Sequence, residues 1–434
     1  MIITADWVLP VSHPPIRDGA VAVRRGRITA VGAAADLAAR FPDDEVTRLD
    51  GCVLAPGLVN ARTRLALSAV GGMSLGADPA VRIRTAAERL GVLDNDDLAD
   101  SAAYGATRCL LTGTTVVGDV VFGPESPAAA ADAGLAGVFF WEVFGISESE
   151  LVDYLAEREY PADGPTGHGR IRCAAGAHSA YTVGPEALRA VRALTREQGC
   201  PFAIRVAESS AESLLFAGGG GPLEPLAAQH AVGFRPPRVS PVDYLDTLGV
   251  LERAIAVHCT RADARDARRL AARAQGVVLC PRSNVRLGHG EPPVGDLLHA
   301  RARLAIGTGS GLDTRDLDLF AEARELMRIA PDLSAERALR IMTYEGAWVL
   351  GMADLFGSLE PDKQADLIAV RIPATDDPLE TLLREGCREN VRAVMSAGVW
   401  RVIDGETAFD AAGLAQAAER VRAKVPGALG GTPG

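Results

Sequence analysis

The sequence contains almost no lysine and no long apolar run. Of its 45 basic residues only Lys363 and Lys424 are lysines, so no Schiff-base lysine is available before residue 363. No apolar stretch approaches the roughly 20 residues that cross a bilayer. Acidic residues outnumber basic ones by 56 to 45, and the net charge of −11 argues against nucleic-acid binding and a polybasic membrane anchor. The first residues also lack the basic segment of a signal peptide. We therefore expect a cytoplasmic protein with neither nucleic acid nor membrane as a partner.

Two further absences concern motifs. The seven cysteines are scattered and form no CxxC pair, which favours buried, reduced thiols over disulfides or a thiolate metal site. Cys259 and Cys280 each end an apolar run and are the candidates for a catalytic thiol. No GxGxxG follows the first predicted strand, so an open, dinucleotide-binding sheet is the less favoured fold.

The pattern of predicted elements changes twice along the chain. Short strands separated by turn residues are predicted near both ends, at 2–3, 20–23 and 27–31 and again at 365–370, 391–395 and 399–403. Between them, eight strand-like apolar runs alternate with helical segments, which is the pattern of a (β/α)8 barrel. We predict an α/β fold, a (β/α)8 TIM barrel with a small β-sandwich domain formed by the N- and C-terminal segments. The predicted boundaries are 1–55 with 352–410 for the β-sandwich, 56–351 for the barrel, and 411–434 for a C-terminal helix and disordered tail.

Functional residues of such barrels gather at the carboxyl ends of the strands, and several of those ends carry motifs. In chain order they read PGLVNARTRL (56–65), AHSAYT (177–182), IRVAES (204–209), VHC (257–259), CPRSN (280–284) and GTGS (307–310). This series resembles the amidohydrolase superfamily, where the same segments read PGLVNAHTHL, PHAPYT, IHVAES, AHC, CPRSN and GTDS. The likeness covers most of the chain. It is most similar to the branch that deaminates S-adenosylhomocysteine, methylthioadenosine or aminodeoxyfutalosine.

The resemblance implies a metal site that this sequence does not reproduce. In the family, two histidines on the first strand, one each on the fifth and sixth, and an aspartate on the eighth hold a divalent ion, usually zinc, that activates water. Those positions here are Arg62, Arg64, Arg205, His258 and Gly309. A guanidinium has no lone pair to donate, and one histidine cannot hold a catalytic zinc alone. Losing the metal removes about nine pK units of water activation, about 12 kcal/mol. We therefore expect no metal and no other cofactor.

Other positions of the resemblance are retained. It implies proton shuttling by Glu208, a polarising role for His258 and a substrate contact for His178, and Glu142 is a candidate at the same barrel mouth. Each also has a structural interpretation. Glu208 could be the ion-pair partner of an arginine, and His258 could be a hydrogen-bonded core histidine.

The three arginines at the metal positions allow two interpretations. If the strands are arranged as in the family, the three arginines converge on one place. Buried charges need partners of opposite charge. Either they form an internal ion-pair cluster with Glu208, Asp119 and Asp313, or they bind an anionic ligand such as a carboxylate or phosphate.

Three functions remain open on the sequence. The first is a metal-free binding or regulatory protein with an arginine-rich pocket for a small anionic or nucleoside-like ligand. The second is a metal-independent enzyme in which the arginines stabilise charge and Glu208 with His258 transfers protons, acting on a non-peptide carbon–nitrogen bond or in an elimination or isomerisation. The third is zinc-dependent deamination through displaced ligands. The resemblance also implies a homodimer or larger assembly.

Overall fold

The computed structural model describes residues 1–73, 78–156, 169–310, 312, 314 and 316–427, so Asp313 and the end of the predicted tail lie outside the described residues. The strands, in chain order, are β1 (Ile2–Val8), β2 (Ile16–Arg24), β3 (Arg27–Ala33), β4 (Val46–Pro56), β5 (Leu58–Thr63), β6 (Thr114–Val121), β7 (Ala136–Val143), β8 (Ile171–Ser179), β9 (Phe202–Val206), β10 (Ala254–His258), β11 (Gly276–Leu279), β12 (Leu304–Ile306), β13 (Leu367–Arg371), β14 (Val391–Ser396), β15 (Val399–Ile403) and β16 (Glu406–Thr407).

The helices begin at side-chain caps in several places, such as Asp94 and Asp263, whose carboxylates accept backbone N–H groups of the first turn. They are α1 (Ala34–Arg40), α2 (Pro79–Leu90), α3 (Asn95–Leu111), α4 (Glu125–Ala133), α5 (Glu148–Ala156), α6 (Pro185–Glu197), α7 (Ser210–Gly218), α8 (Glu224–His230), α9 (Pro241–Thr247), α10 (Ala264–Arg273), α11 (Pro281–Arg286), α12 (Val294–His299), α13 (Leu319–Ile329), α14 (Ala335–Met342), α15 (Tyr344–Val349), α16 (Pro378–Glu385) and α17 (Ala411–Lys424). Among the described residues, no helix combines the length and the apolar character needed to cross a membrane.

Strands β5–β12 form the barrel that the sequence predicts, lying side by side in chain order with every neighbouring pair parallel. Side chains help to join the first strand to the last. Asn60 Nδ2 donates to Thr308 Oγ1 (2.9 Å), and Thr308 N donates to Asn60 Oδ1 (3.0 Å). The backbone N–H of Gly309 donates to the Arg62 carbonyl (3.0 Å). Gly307 permits this approach, because a Cβ there would lie 2.5 Å from Arg62 N. The junction holds Arg62 at the mouth of the barrel.

The terminal segments form one mixed sheet in the order β16-β15-β14-β13-β4-β1-β2-β3. Only β1 and β4 are parallel neighbours, and the remaining pairs are antiparallel. Strands from both halves share one buried cluster that includes Ile3, Val21, Leu367 and Met395. Both ends of the chain therefore contribute to one small β structure beside the barrel, which confirms the predicted fold class.

A buried ion pair joins the barrel to this sheet. Arg170 directly precedes β8, and Asp366 directly precedes β13. Arg170 Nη1 and Nη2 donate to the two Asp366 carboxylate oxygens at 2.9 and 3.0 Å, and both side chains are 3% exposed. The backbone N–H of Ala397 donates to the same carboxylate (2.8 Å).

Helix α2 covers one side of the barrel mouth, and α17 packs against α3. Leu90 and Ala86 of α2 contact a buried cluster that includes Leu67 and, from α17, Val421. The side chain of Arg422 on α17 donates to the Ala69 carbonyl (2.8 Å), which fixes α17 against the segment that follows β5.

Candidate functional site at the barrel mouth

A cavity of about 330 Å³ opens where the carboxyl ends of the barrel strands meet. Its inner part is polar, with charged side chains and histidines from the strand ends, and its outer part is apolar. The inner lining residues are Arg62, Arg64, Arg205, Glu142, Glu208, His178, His258 and His289. The apolar lining residues are Leu67, Pro79, Ile83, Ala86, Ala87, Leu90, Phe122, Phe144, Leu287 and Leu312. The cavity therefore offers two different environments to one ligand.

Three arginines surround one carboxylate at the inner end. The distance from Glu142 Oε2 to Arg64 Nη2 is 2.5 Å, and Glu142 Oε1 lies 3.7 Å from Arg205 Nη2 and 4.0 Å from Arg62 Nη2. We call these four residues the arginine cluster. The convergence follows from the barrel, because Arg62 lies near the end of β5, Arg64 directly follows that strand, and Arg205 lies near the end of β9.

The arginine cluster is buried enough for charge to matter. Although burial opposes ionisation of Glu142, the Arg64, Arg205 and Arg62 guanidiniums hold the pKa of its carboxyl well below the ordinary value. Burial, together with repulsion from Arg205 and Arg64, lowers the pKa of Arg62 to about 10. Because a guanidinium stays protonated at any physiological pH and the Glu142 carboxyl is ionised, three positive charges face one negative charge.

The arginines differ in how they are held. The guanidinium of Arg64 lies over the Phe122 ring, 4.7 Å from its centre, besides its close contact with Glu142. Arg205 Nε donates to the His178 carbonyl (3.1 Å). The Arg62 side chain is 9% exposed, lies 4.0 Å from Glu142, and has no hydrogen-bond acceptor among the described residues. None of the side-chain N–H groups of Arg62 is therefore used by an acceptor among the described residues.

A second charged group lies beside the arginines. Glu208 Oε1 is 3.6 Å from His258 Nε2 and 3.4 Å from His289 Nε2. Burial would raise the pKa of Glu208, but the neighbouring imidazoles and Arg205 hold it well below its ordinary value. Burial lowers the pKa of His258 to about 4, so the imidazole is neutral at neutral pH. The pair therefore consists of an ionised carboxylate and a neutral imidazole.

The backbone at the strand ends aims both of these side chains into the cavity. His258 has φ of +74°, a left-handed conformation that is uncommon for a residue with a Cβ and often marks functional positions. His258 Nδ1 lies 2.9 Å from Asn284 Oδ1, which fixes the ring. Glu212 accepts from the backbone N–H groups of Ala207 (3.2 Å) and Glu208 (2.7 Å) and so fixes the segment that carries Glu208.

His178 forms part of an aromatic wall. Its Nδ1 atom lies 2.8 Å from Thr182 Oγ1, and its ring meets the Phe144 ring edge-on with centres 4.7 Å apart. Burial and the nearby Arg205 guanidinium lower the pKa of His178 well below its ordinary value. A neutral imidazole therefore lines this side of the cavity.

The ion pairs differ from the predicted ones in two respects. Glu142 is the shared partner of the arginines, and Glu208 contacts histidines. Asp119 forms no ion pair to the arginines among the described residues, because its Oδ1 accepts from Thr63 Oγ1 (2.6 Å) and from the backbone N–H of Leu65 (2.8 Å). Burial raises the pKa of Asp119 to about 6. Asp119 therefore fixes the segment after β5, and Asp313 lies outside the described residues.

The two cysteines considered as nucleophiles are also placed by the structure. Cys259 and Cys280 are fully buried and are absent from the described lining of the cavity. Burial raises the pKa of Cys259 well above its ordinary value, which disfavours the thiolate that catalysis needs.

Sequence reasoning did not find His289 and Arg82. His289 lies in the segment after α11, and its Nε2 atom faces both Glu208 and Arg82 Nη2, the latter at 3.4 Å. Neither residue belongs to a motif at a strand end. The only sequence signal for His289 was the rarity of histidine, of which the chain has seven.

Comparisons with known proteins identify the family. A family model described as the amidohydrolase family matches residues 53–401. The chain belongs to the amidohydrolase family. A second model, an imidazolonepropionase-like composite domain of bacteria, matches residues 19–43 of this amidohydrolase. The family resemblance of the strand-end motifs is thereby confirmed.

Several named relatives of this amidohydrolase are deaminases. The 5-methylthioadenosine/S-adenosylhomocysteine deaminase of Pelotomaculum thermopropionicum is 30% identical over 391 residues, which cover 85% of this chain and 84% of the relative. The enzyme of the same name from Moorella thermoacetica is 28% identical over 381 residues, covering 84% and 83%.

Solved structures show the same fold. An adenosine deaminase from Xanthomonas campestris with bound zinc superimposes with a TM-score of 0.84 at 28% identity, covering 98% of both chains. The aminofutalosine deaminase of Helicobacter pylori in complex with methylthio-coformycin has a TM-score of 0.77 at 19% identity, covering 92% of this chain and 99% of the other. At that identity the second likeness shows the fold alone.

Three of the five positions that hold the metal in the resemblance are arginines here, Arg62, Arg64 and Arg205. Among the described residues, no group of three or more histidine, cysteine, aspartate and glutamate side chains could hold a metal ion. The carboxylate that pairs with Arg62 and Arg64 is Glu142, which is already shared by three guanidiniums. Guanidiniums cannot act as ligands and repel a dication.

Proposed function

We propose that this amidohydrolase binds a small anionic molecule at the barrel mouth and does so without a divalent metal. The observation that carries the proposal is Arg62, a buried cation that faces the cavity without a hydrogen-bond acceptor among the described residues. A buried guanidinium is costly unless an anion partners it. The charges of the lining support the same conclusion, because four arginines, among them Arg82, face two carboxylates, Glu142 and Glu208.

The absence of a metal is part of the proposal and rests on the chemistry of the side chains. Of the five family ligand positions only His258 retains a group that can donate a lone pair. A metal seated there would lie beside the guanidiniums of the arginine cluster, whose charges repel a dication. An anion seated there gains from the same charges. The site therefore favours an anion where the resemblance implies a cation.

The first prediction concerns Arg62→Met. We expect protein purified without chelator to contain far less than one zinc per chain, and to bind acetate, butanoate or inorganic phosphate. Hydrogen bonds to charged groups contribute about 1.5–3 kcal/mol, so Arg62→Met should weaken the binding of these anions by about 10- to 100-fold. Elemental analysis measures the metal, and isothermal titration calorimetry measures the binding.

The control is Arg84→Met, because Arg84 is an exposed arginine of α2 that does not line the described cavity. Anion affinity should be unchanged in that variant. Near-stoichiometric zinc would show that ligands have been displaced and that the metal-free part of the proposal is wrong. Neutral 5-methylthioadenosine is the nucleoside-like probe. If it binds and the anions do not, and Arg62→Met leaves its affinity unchanged, the ligand is a nucleoside and the anionic proposal is wrong.

A second candidate function is catalysis without a metal. The specific observation is the position of ionised Glu208 within 3.6 Å of neutral His258, since such a pair can accept and return a proton. The arginine cluster beside it supplies fixed positive charge where negative charge develops in a reacting ligand. An elimination, an isomerisation or attack on a carbon–nitrogen bond fits these groups.

The second prediction tests this candidate with Glu208→Gln. Positioned acid–base groups typically contribute 10²–10⁴-fold to a rate, so conversion of any acid that turns over should fall by about that factor. Binding of the same acid should change little, because the arginines remain. Nuclear magnetic resonance of the ligand during incubation reports conversion directly. Turnover that survives in Glu208→Gln contradicts the assigned role. A protein that binds the acids and converts none is a binding protein, and the enzyme candidate is then wrong.

A further inference from the structure

We propose that the ligand is a small amphiphilic carboxylic acid whose carboxylate lies against Arg62 and whose apolar body lies under helix α2. This inference rests on the proposed anion-binding function and specifies the chemical class of its ligand. It follows from the division of the cavity into a cationic inner part and an apolar outer part.

The inner part already shows how a carboxylate is held there. Glu142 presents its two oxygens to different guanidiniums, with Arg64 at 2.5 Å from one oxygen and Arg205 at 3.7 Å from the other. Planar guanidiniums match planar carboxylates and bind them through parallel N–H donors. Arg62 is 9% exposed and lies too far from Glu142, at 4.0 Å, for a hydrogen bond. A second carboxylate on the cavity side of Arg62 gives this arginine the acceptor that Glu142 does not supply.

The outer part is a mainly apolar wall, to which α2 also contributes Arg82. Ile83, Ala86, Ala87 and Leu90 of α2 line the cavity together with the more deeply buried Leu67. Their spacing places them on one face of the helix. None of the residues of α2 is fully buried by the rest of the chain. An aliphatic body in the cavity would cover this face, while a purely ionic ligand would leave it in contact with water.

The cavity has room for a small organic molecule, since its volume is about 330 Å³. It suits an acid whose charged end meets Arg62 and whose apolar body lies against α2.

The test is a chain-length series on the purified protein, with acetate, butanoate, hexanoate and octanoate titrated by calorimetry. Burial of one methylene contributes about 0.8 kcal/mol, so affinity should rise about fourfold per methylene and about 16-fold per two-carbon step. Hexan-1-ol, which has the body without the charge, should bind at least tenfold more weakly than hexanoate.

Two substitutions on α2 form a matched pair. Ile83→Asn places a polar side chain in the apolar wall and should flatten the dependence on chain length. Val81→Asn changes a β-branched residue of the same helix that is 40% exposed and does not line the described cavity, so the dependence should be retained. Ile83→Thr keeps the branched shape and provides a second variant if Ile83→Asn does not fold. Arg62→Met should weaken the binding of all four acids equally and leave the dependence of affinity on chain length unchanged.

The outcomes separate this inference from the proposed function. If the acids bind through Arg62 with equal affinity at every chain length, the amphiphilic ligand class is wrong and the proposed anion binding stands. If hexan-1-ol binds as tightly as hexanoate, the carboxylate does not contribute to binding and the proposed ligand class is wrong. Failure of every acid and of inorganic phosphate to bind overturns both proposals.

Discussion

Replacing Glu142 with glutamine should destabilise the protein by about 3–5 kcal/mol, the range expected when one partner of a buried ion pair is removed. The side chain is 5% exposed and is the shared counter-ion of three guanidiniums. Glutamine keeps the volume and one acceptor oxygen but removes the charge. The guanidiniums would then repel one another with no carboxylate at their centre. The free energy of unfolding, measured by urea titration, reports the loss.

Added anion should restore part of that loss, which links the stability of Glu142→Gln to the proposed function. With the internal carboxylate gone, an external carboxylate meets three uncompensated cations, and we expect hexanoate to bind about tenfold or more tightly than to the wild type. A ligand at 100 times its Kd stabilises the folded state by about 2.7 kcal/mol. The increase in melting temperature on adding hexanoate should therefore be larger in Glu142→Gln than in the wild type.

An exposed glutamate provides the control for this experiment. Glu186 pairs with Arg189 at 2.8 Å, but their side chains are 65% and 48% exposed, and such pairs contribute about 0–1 kcal/mol. Glu186→Gln should leave both stability and the response to hexanoate nearly unchanged. Equal stabilities of Glu142→Gln and Glu186→Gln would mean that the arginine cluster is solvated and not held by Glu142.

The sequence predicted the barrel from local patterns, and the family resemblance implied the convergence of its arginines. Alternation of apolar runs and helices indicates parallel strands, and residues at their carboxyl ends meet at one mouth. Arg62, Arg64 and Arg205 are brought together for that reason. The family resemblance assigned roles at one site to Glu208 and His258, and their side chains lie 3.6 Å apart.

The charge partners could not be predicted, because they depend on side-chain direction. Glu142 and Asp119 both lie towards the ends of barrel strands, and nothing in their spacing distinguishes the one that meets the arginines. Asp119 instead accepts hydrogen bonds from the Thr63 hydroxyl and the Leu65 backbone N–H. His289 reaches Glu208 from a segment after α11, and long-range packing of this kind leaves no periodic signal.

The apolar wall also depends on tertiary structure. Helix α2 reads as an ordinary amphipathic segment, and its sequence does not show that its apolar face meets a cavity and not a core. That distinction comes from where α17 and the segment after β5 hold the helix. The ligand class is therefore an inference from the structure, while the arginine-rich mouth was predictable from the sequence.

Removing the carboxylate of Asp366 should lower the free energy of unfolding as much as Glu142→Gln does, although Asp366 does not line the described cavity. Asp366→Ala would leave Arg170 buried at 3% exposure without the two oxygens that it now contacts at 2.9 and 3.0 Å. The backbone N–H of Ala397 would also lose its acceptor. Breaking a buried pair in this way costs about 3–5 kcal/mol, measured as the shift in the free energy of unfolding by urea.

A double substitution distinguishes an unpaired charge from a simple loss of packing. In Arg170→Met with Asp366→Ala no buried charge is left alone. The double variant should therefore lose about 0.5–3 kcal/mol less stability than the sum of the two single losses, a coupling typical of contacting residues. Anion affinity at the barrel mouth should stay unchanged in both variants, since neither residue lines the described cavity. If the two losses in the free energy of unfolding simply add, Arg170 becomes solvated when Asp366 is removed. The buried pair would then not be what holds the sheet to the barrel.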